Sequence, residues 1–432
     1  MERLMQYIWQ HRLWPSEDMS TVDGERVQVI DPGRLNTDSG PDFFNAKIRI
    51  GRDMWAGDVE IHVNASDWHR HRHDGDPAYE SVILHVVGRD DTQIKRHDGR
   101  VIPQMRMPCA PDFSQSYNKL VEDASSFRLP CKNEIKSMPP VKIHSWLDSL
   151  AFERLYRKSD RIEALLKESS GDWESACYVT MARGLGFGLN SEPFERLALA
   201  TPLRILHKHC DSQLSMEAML FGQSGLLDNA NDDEAYVGLL KREYAFLANK
   251  FSLKKPVQLG WKMSRMRPPN FPHRRIAFLA ALLFGGFRLM SRIASATSLE
   301  DARKLFAVEL TGYWASHYTF GSAMESHTPT ALGRSSVDTL IINVVVPMLY
   351  AYGCAVDNAG LTNLATSMLQ GLGPEQNSVV RLFKEHGIEC DDAFTSQALI
   401  QLRREYCEAK KCLFCRIGHQ YLSIRSKMPK RQ

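Results

Sequence analysis

The sequence has no apolar run long enough to cross a membrane. Its longest apolar stretches are Ile276–Phe284 and Leu340–Ala351, and Asn343 and Pro347 interrupt the second one. A membrane-spanning helix needs roughly 20 consecutive apolar residues. Both stretches are therefore predicted to be buried helices of a protein that does not enter a membrane. Pro347 is expected to kink or break the second helix.

The sequence also has little cysteine and no export signal. Its first residues, MERLMQYIWQHRLW, lack the apolar core of a secretory signal peptide. Nine cysteines in 432 residues, without such a signal, argue against a disulfide framework, and the odd number agrees with this. We therefore expect a cytoplasmic protein whose thiols are reduced or bind metal.

The net charge of +3 conceals an uneven distribution of charged residues. Residues 1–125 hold 15 Lys and Arg against 21 Asp and Glu, whereas residues 403–432 hold nine basic and two acidic residues. An acidic, metal-binding face beside a basic body suits a polyanionic substrate. The same distribution equally suits a soluble protein with no such partner.

The spacing of apolar residues divides the chain into two parts of different fold class. Strand-like segments are confined to the N-terminal part, at Arg26–Ile30, Ala46–Ile50, Trp55–Val63, Tyr79–Val87 and Val101–Met107. From Ile143 onward the apolar residues recur at helical spacing. The sequence thus predicts an α+β protein. It would have a mixed α/β domain over residues 1–125, a linker over 126–140 and an all-α domain over 141–432.

The second arm of the predicted hairpin carries the first candidate site. Side chains alternate along a strand, so Asp58, Glu60 and His62 share one face. Asp42 precedes the first arm. Mg²⁺ and Mn²⁺ prefer hard oxygen ligands, so we expect Asp42, Asp58 and Glu60 to bind one of these ions. His62 would position or deprotonate the attacking water. The alternative, commoner for an arbitrary strand, is a solvated polar face.

This arrangement resembles the PD-(D/E)XK nuclease superfamily, in which an Asp heads one hairpin arm and a Glu-x-Lys lies on the next. Pro41-Asp42 corresponds to the first element and Glu60-Ile61-His62 to the second. The resemblance implies a restriction-endonuclease-like sheet with Asp42, Glu60 and His62 as catalytic residues. His62 stands where the superfamily has Lys, and a neutral imidazole holds an anionic transition state less well than an ammonium group. Either His62 acts as a base, Lys47 supplies the charge, or catalysis is absent.

Three histidines lie close together in the segment WHRHRHDGDP, which follows the hairpin: His69, His71 and His73. The segment is either a solvated loop, the commoner case, or a loop that closes over the metal site. In the second case one histidine, with Asp74 or Asp76, would contribute to metal or phosphate binding. A zinc or iron hydrolase centre built from His62, His85 and one loop histidine is a rival with similar chemistry.

A cysteine cluster near the end of the sequence is the second candidate metal site. Three cysteines lie within nine residues: Cys407, Cys412 and Cys415. The short Cys-x2-Cys step allows two thiolates to bind one ion. His419 would complete a tetrahedral zinc site, whereas an iron–sulfur cluster would take a distant cysteine such as Cys131 or Cys390. Three unmetallated thiols on a basic helix are an equal alternative.

Residues 250–275 form a basic segment that contains eight Lys and Arg and no acidic residue. Phosphates bind cationic side chains and unstacked bases bind aromatic rings, so the segment predicts a nucleic-acid surface. Its candidate contacts are Lys254, Lys255, Trp261, Lys262, Arg265 and Arg267. The alternative is a proline-rich connector whose aromatic residues anchor it to the core.

Longer stretches across the chain resemble a single bacterial family. These are GDVEIHVNASDW, DPAYESVILHVV, LNSEPFERLA, RPPNFPHRRIAFLA and REYCEAKKCLFCRIG. The family is uncharacterised and is defined only as domain of unknown function 2851, so the resemblance assigns no activity. The residues discussed above predict a metal-dependent phosphodiesterase that acts on nucleic acid. The alternative is a non-catalytic nucleic-acid-binding or scaffold protein that keeps the sheet but not the chemistry.

Overall fold

The chain forms two compact units. Unit 1 is Met1–Trp146 together with Leu402–Gln432, and unit 2 is Leu147–Gln401. The computed structural model describes residues 1–14, 19–36, 38–107, 117–118, 120, 129, 131–231, 234–256, 259–264, 266–286, 288–324 and 329–426. The cysteine segment near the C-terminus thus groups with the N-terminal part of the chain. The sequence had instead placed it in a helical domain over residues 141–432.

Unit 1 is built on a mixed sheet of six strands. The strands are β1 Val27–Asp31, β2 Arg34–Leu35, β3 Phe43–Ile50, β4 Asp53–Asn64, β5 Val82–Arg89 and β6 Gln104–Arg106. They lie in the order β1-β3-β4-β5-β6, and β2 pairs with β3. β3 is antiparallel to β1 and β4, whereas β5 is parallel to β4 and β6. The predicted mixed α/β character of the N-terminal part is confirmed.

The predicted hairpin is formed by β3 and β4. Gly51 lies in its turn with φ of 59°, a left-handed conformation that glycine adopts without a Cβ clash. Next to the hairpin, β5 is buried at six consecutive residues, Val82–Val87. This is the burial expected of an interior strand whose two faces are both covered. β4 and β5 therefore lie at the centre of unit 1.

Helix α1, Glu2–Gln10, packs its apolar side on the sheet. Four of its residues are at most 4% exposed: Leu4, Met5, Ile8 and Trp9. They join one core cluster with inward-facing residues of β3, β4 and β5, among them Ile48, Val59 and Leu84. Complete burial of an aliphatic side chain contributes about 1.5–3 kcal/mol. This cluster therefore holds α1 on the sheet.

The segment between β4 and β5 is long because two parallel strands cannot be joined by a tight turn. It contains α2, Asp67–Arg70, and two 3-10 turns, His73–Gly75 and Pro77–Tyr79. A second, smaller core cluster fixes the segment to unit 1 and consists of Trp68, Tyr79, Val82, Ile94 and Ile102. Further along the chain, α3, Lys132–Ser137, lies within the residues that were predicted to form a linker.

Unit 2 is predominantly helical, as predicted. Its helices are α4 Pro140–Glu168, α5 Trp173–Leu185, α6 Ser191–Ala200, α7 Leu203–Leu206, α8 Gln213–Ser224, α9 Ala235–Phe251, α10 Pro272–Leu283, α11 Leu289–Ala294, α12 Leu299–Lys304, α13 Tyr313–Ser316, α14 Arg334–Leu340, α15 Val346–Ala355, α16 Ala359–Gly371, α17 Ser378–Glu385 and α18 Ala393–Gln401. The boundary between the units at Trp146 falls within α4. A short antiparallel hairpin, β7 His317–Thr319 and β8 Ser322–Ala323, was not predicted.

Helices α14 and α15 are joined by a π-helical segment, Ile341–Val345, into one helix, Arg334–Ala355. By length and composition alone this helix could cross a membrane, but 72% of its apolar window is buried inside the protein. Such burial is typical of the core helix of a globular protein. The π-helical segment ends just before Pro347, so the predicted distortion at this proline is present.

The end of the chain returns to unit 1. A π-helical segment, Leu402–Cys407, is followed by a 3-10 turn, Cys412–Phe414, and by the last helix, α19 Arg416–Ser426. Leu413 and Leu422 belong to the same core cluster as α1 and the sheet. Burial of these apolar side chains explains why the segment groups with a sheet that is far away in sequence.

Candidate metal centre

Asp42 and Glu60 are joined by hydrogen bonds across the β3–β4 pair. The Asp42 backbone N–H donates to Glu60 Oε2 at 3.0 Å, and the Ile61 N–H donates to Asp42 Oδ2 at 3.0 Å. Gln6 of α1 donates to the other Asp42 oxygen at 2.8 Å. The structure thus brings the two predicted carboxylates together. The residue before β3 fixes the orientation of Glu60, which is only 5% exposed.

Two histidines, His62 and His73, approach the free oxygen of Glu60, and a third, His71, approaches His62. His62 Nε2 lies 3.3 Å from Glu60 Oε1 and 3.1 Å from His71 Nδ1. His73 Nε2 lies 3.4 Å from the same Glu60 oxygen. One ring nitrogen from each histidine lies within 4.8 Å of the other two. His71 is exposed, so this cluster is open to solvent on one side.

His85 supports His62 from the neighbouring strand. β4 and β5 pair with Glu60 opposite His85, so the two side chains share a face of the sheet. His85 Nε2 lies 2.9 Å from His62 Nδ1, and His85 is completely buried. Because this contact occupies Nδ1, His62 directs Nε2 toward Glu60. A histidine held through its second nitrogen in this way is typical of metal ligands.

The loop between β4 and β5 places the other two histidines. Asp67 Oδ2 accepts a hydrogen bond from the Asn64 N–H at 3.0 Å and closes the turn after β4. Arg72, between His71 and His73, has φ of 65°, which reverses the backbone so that both rings turn toward β4. The His73 ring stacks on Tyr79 with 3.8 Å between centroids. The sequence left open a solvated loop or a loop that contributes one histidine, and the structure places two loop histidines beside His62.

Burial shifts the pKa of several of these groups toward their neutral forms. It raises the pKa of Glu60 to about 8 and, together with the charge of Glu60, raises the pKa of Asp42 to about 7. Burial and the neighbouring imidazoles lower the pKa of His62 to about 2 and that of His85 to about 3. A bound dication would favour the ionised carboxylates and the neutral imidazoles together.

The spacing of these atoms fits a metal ion. Ligand atoms at about 2.0–2.1 Å from one ion in a tetrahedron lie about 3.4 Å apart. Three distances in the cluster are close to this value: 3.1 Å for His62–His71, 3.3 Å for His62–Glu60 and 3.4 Å for His73–Glu60. His73 Nε2 is also buried and makes no hydrogen bond. An unpaired buried polar atom costs about 1–3 kcal/mol, and a bound ion would satisfy it.

Asp58, predicted as a further ligand, is held by other donors. Its Oδ1 accepts from the Asn45 N–H at 2.9 Å and its Oδ2 from the Ser81 hydroxyl at 2.6 Å. The pairing of β4 with β5 is irregular between Asp58 and Val59. Asp58 therefore stabilises the irregular start of this pairing. Among the described residues, the groups that converge are Glu60 and the histidines.

Other residues weighed from the sequence have separate contacts. His69 is exposed and its Nδ1 lies 2.8 Å from the carboxylate of Asp74. Asp76 accepts from the Ala78 N–H at 2.9 Å and begins a 3-10 turn. The Lys47 side chain is exposed on β3. The hydrogen bond from Gln6 to Asp42 was not predicted, because α1 is separated from the hairpin in sequence and no motif links the two elements.

The cysteines near the C-terminus form a second cluster, whose fourth member is Cys131. Eight residues line a cavity of about 20 Å³: Leu120, Leu129, Cys131, Tyr406, Cys407, Cys412, Cys415 and Gly418. Cys390, the other distant cysteine considered, belongs to unit 2. The predicted zinc ligand His419 does not line this cavity. Its two ring nitrogens lie 2.6 Å from the Tyr7 hydroxyl and 3.1 Å from the Ser423 hydroxyl.

A larger cavity of about 700 Å³ lies in unit 1. Its lining residues are Arg3, Gln6, Tyr7, Gln10, His11, Leu35, Met138, Val141, Lys142, Ser145, Leu413, Phe414, Cys415, Arg416, His419 and Gln420. The structure describes all of them and none is acidic. Gln6 connects this cavity to the metal centre because it also donates to Asp42. The cavity combines four separate sequence segments, so no local pattern in the sequence revealed it.

Some residues of the basic segment 250–275 that were predicted to contact nucleic acid instead contact other parts of the protein. Trp261 Nε1 donates to the Ser224 carbonyl at 2.9 Å, and its ring packs edge-on against Phe194. Lys255 forms an ion pair with Asp228. Four predicted contacts are exposed, namely Lys254, Lys255, Lys262 and Arg267, and Arg265 lies outside the described residues. The contacts of Trp261 are those of an anchor to the core.

Comparison with known proteins identifies the family alone. No curated protein and no solved structure matches the chain. A family model described as "Protein of unknown function (DUF2851)" matches residues 2–378. This range includes the whole sheet and every residue of the metal centre, and it ends before the C-terminal cysteines. The chain therefore belongs to the DUF2851 family of proteins of unknown function.

Proposed function

We propose that unit 1 is a metal-dependent phosphodiesterase that acts on nucleic acid. The observation that carries the proposal is the cluster of His62, His71 and His73, whose ring nitrogens lie within 4.8 Å of one another, with a Glu60 oxygen 3.3 Å from His62 and 3.4 Å from His73. Buried ionisable groups of this kind are costly unless they are paired or bind metal. Clusters of groups with strongly perturbed pKa values are also typical of functional sites.

The ligand set favours zinc or iron over magnesium. Three imidazole nitrogens and one carboxylate are the donors that borderline transition metals prefer, whereas Mg²⁺ prefers oxygen donors and water. The Mg²⁺ or Mn²⁺ site expected from Asp42, Asp58 and Glu60 lacks support from Asp58, because both of its oxygens are occupied. We therefore assign the ion to the histidines and Glu60, and we assign to Asp42 the role of orienting Glu60 through a hydrogen bond.

Each neighbouring residue has a role in such a centre. When bound, the ion supplies Lewis acidity and activates water. Asp42 holds Glu60 through its backbone N–H. With an ion on His62 Nε2, the His62 Nδ1–H would donate to His85 Nε2, which lies 2.9 Å away. The exposed side at His71 leaves room for a substrate phosphate.

The basic cavity of unit 1 supports a polyanionic substrate. Arg3, Lys142 and Arg416 line it, and no acidic residue does. Phe414, which is 56% exposed, offers a ring on which a base can stack. Cationic side chains of this kind bind the phosphates of any sequence. The cavity therefore favours nucleic acid over a small neutral substrate.

The test is metal analysis of the purified full-length chain followed by cleavage assays. Labelled single-stranded DNA, double-stranded DNA and RNA would each be incubated with the protein and with Zn²⁺, Fe²⁺, Mn²⁺ or Mg²⁺. We expect the zinc or iron content to fall by one ion per chain in Glu60→Gln, and cleavage to fall by at least about 100-fold in the same variant. Glu80→Gln is the matched control, because Glu80 is exposed at the end of the same loop.

Two results would contradict the proposal. If the pure protein holds no metal at this centre and cuts none of the substrates, unit 1 is not a metal-dependent phosphodiesterase. If it binds nucleic acid without cutting, and Glu60→Gln binds equally well, the alternative of a non-catalytic binding protein is correct.

A further inference from the structure

We infer that Cys131, Cys407, Cys412 and Cys415 bind an iron–sulfur cluster. The inference concerns a different part of unit 1 from the metal centre and does not depend on its activity. It begins with the cavity of about 20 Å³ that the four cysteines share with Leu120, Leu129, Tyr406 and Gly418. All four cysteines are free thiols.

The four cysteines come from two distant segments that the fold brings together. Cys131 precedes α3 and Cys407 ends the π-helical segment, whereas Cys412 begins the 3-10 turn before α19 and Cys415 follows that turn. Cys412 and Cys415 are 9% and 7% exposed. Four thiols gathered around one cavity are the donor set that an iron–sulfur cluster takes.

The spacing of the sulfurs distinguishes a cluster from a single ion. Four sulfurs on one zinc ion, at about 2.3 Å each, lie about 3.8 Å apart. The structure describes all four cysteines, and no three of their sulfurs lie within 4.8 Å of one another. In an iron–sulfur cluster the cysteines bind different iron atoms and are therefore more widely spaced. The geometry thus favours iron–sulfur over zinc.

The walls of the cavity suit such a cluster. Its residues other than cysteine are Leu120, Leu129, Tyr406 and Gly418, none of which is charged. The backbone N–H groups of Ile417 and Gly418 hydrogen-bond to Cys415, and amide donors of this kind stabilise cluster sulfurs.

Gly418 is required by this packing. A Cβ at position 418 would lie 2.1 Å from the Cys412 carbonyl oxygen, so only glycine allows the turn and α19 to approach so closely. The close approach places Cys412 and Cys415 at the same cavity.

The experiment is anaerobic purification of the full-length chain with measurement of iron, acid-labile sulfide, zinc and visible absorption. We expect labile sulfide together with at least an equal amount of iron, and the broad visible absorption of sulfide-to-iron charge transfer. Cys131→Ser and Cys412→Ser should lose the sulfide and the equal amount of iron that accompanies it. Cys390→Ser, a buried cysteine of unit 2, and His419→Ala should keep the full content, because neither residue lines the cavity.

The wild-type protein decides the question even if the cysteine variants fail to fold. Zinc without labile sulfide in the anaerobic wild-type protein would overturn the inference, as would the absence of both metals after reconstitution with iron and sulfide. Full cluster content in a folded Cys131→Ser variant, or its loss in His419→Ala, would overturn the ligand assignment. Loss of iron and sulfide in Cys131→Ser while Glu60-dependent metal binding persists would separate this site from the metal centre.

Discussion

At the scale of single residues, the composition of the metal centre depends on which side chains of β4 follow the regular alternation between the two faces of the sheet. Glu60 and His62 were predicted on one face because side chains alternate along a strand, and they lie 3.3 Å apart. Asp58 was predicted beside them by the same rule. It falls at an irregularity in the pairing with β5 and binds Asn45 and Ser81. The alternation of side chains can be predicted from the sequence of one strand, whereas a bulge also depends on the partner strand.

The loop histidines show a second limit of local reasoning. The spacing of His71 and His73 in sequence is compatible with a solvated loop or a closed one. The closed arrangement requires the left-handed backbone at Arg72 and the stacking of His73 on Tyr79. Tyr79 is itself placed by a core cluster that includes residues from beyond β5. Contacts that distant in sequence leave no pattern among the histidines.

His273 in unit 2 leads to a prediction about stability and pH. This residue is 6% exposed, its Nδ1 makes no hydrogen bond, and burial lowers its pKa to about 4. Between pH 6.5, the ordinary pKa of histidine, and pH 4, His273 is therefore protonated in the unfolded chain but neutral in the folded chain. This contribution to stability is fully present above pH 6.5 and falls as the pH drops toward 4, by about 3 kcal/mol in total.

The variant His273→Gln removes this titration. We expect the difference in unfolding free energy between variant and wild type, measured by urea denaturation at a series of pH values, to move in favour of the variant by about 3 kcal/mol between pH 7 and pH 4. A constant difference across this range, from lost packing against Phe320 alone, would show that His273 does not resist protonation in the folded state.

At the scale of elements, the helix Arg334–Ala355 shows how a proline is accommodated. Pro347 has no N–H, and the Val346 N–H bonds to Ile341 O in the π-helical segment. Neither of these two residues therefore donates to the buried carbonyl of Ile342. Lys158 of α4 replaces the missing donor, with its Nζ 3.1 Å from that oxygen. The distortion was predictable from Pro347, but the lysine that compensates for it was not.

This arrangement predicts that Lys158→Met destabilises unit 2. The variant keeps the length of the side chain but leaves the Ile342 carbonyl without a donor, and it also loses the bond to Gln397 at 2.8 Å. We expect a loss of about 1–3 kcal/mol in unfolding free energy. Lys167→Met, at an exposed position of the same helix, should stay within about 0.5 kcal/mol of wild type. Equal stabilities of the two variants would show that the Lys158 contacts contribute nothing.

At the scale of the whole molecule, the sequence predicted a sheet-containing part followed by a helical part, and unit 1 takes its residues from both ends of the chain. Strand-like alternation before residue 107 and helical spacing after 143 are strong local signals, and both the sheet and the helices are present. The return of Leu402–Gln432 to unit 1 depends on burial of Leu413 and Leu422 in the core of the sheet. Long-range packing of this kind is decided by the whole chain, and so is the pairing of Cys131 with the distant cysteines.

Charge distribution is also a property of the whole molecule, and it leads to the last prediction. The overall charge is only +3, yet folding gathers Arg3, Lys142 and Arg416 around one cavity that has no acidic lining residue. If nucleic acid binds there, Lys142→Ala should weaken binding about equally for all sequences and reduce the salt dependence of log affinity by about 1. Fluorescence anisotropy at several salt concentrations measures both. Lys95→Ala, exposed in unit 1 but outside this cavity, is the control. Equal slopes for Lys142→Ala, Lys95→Ala and wild type would exclude the cavity as the phosphate-binding surface, because removal of a phosphate contact must change the number of counterions released.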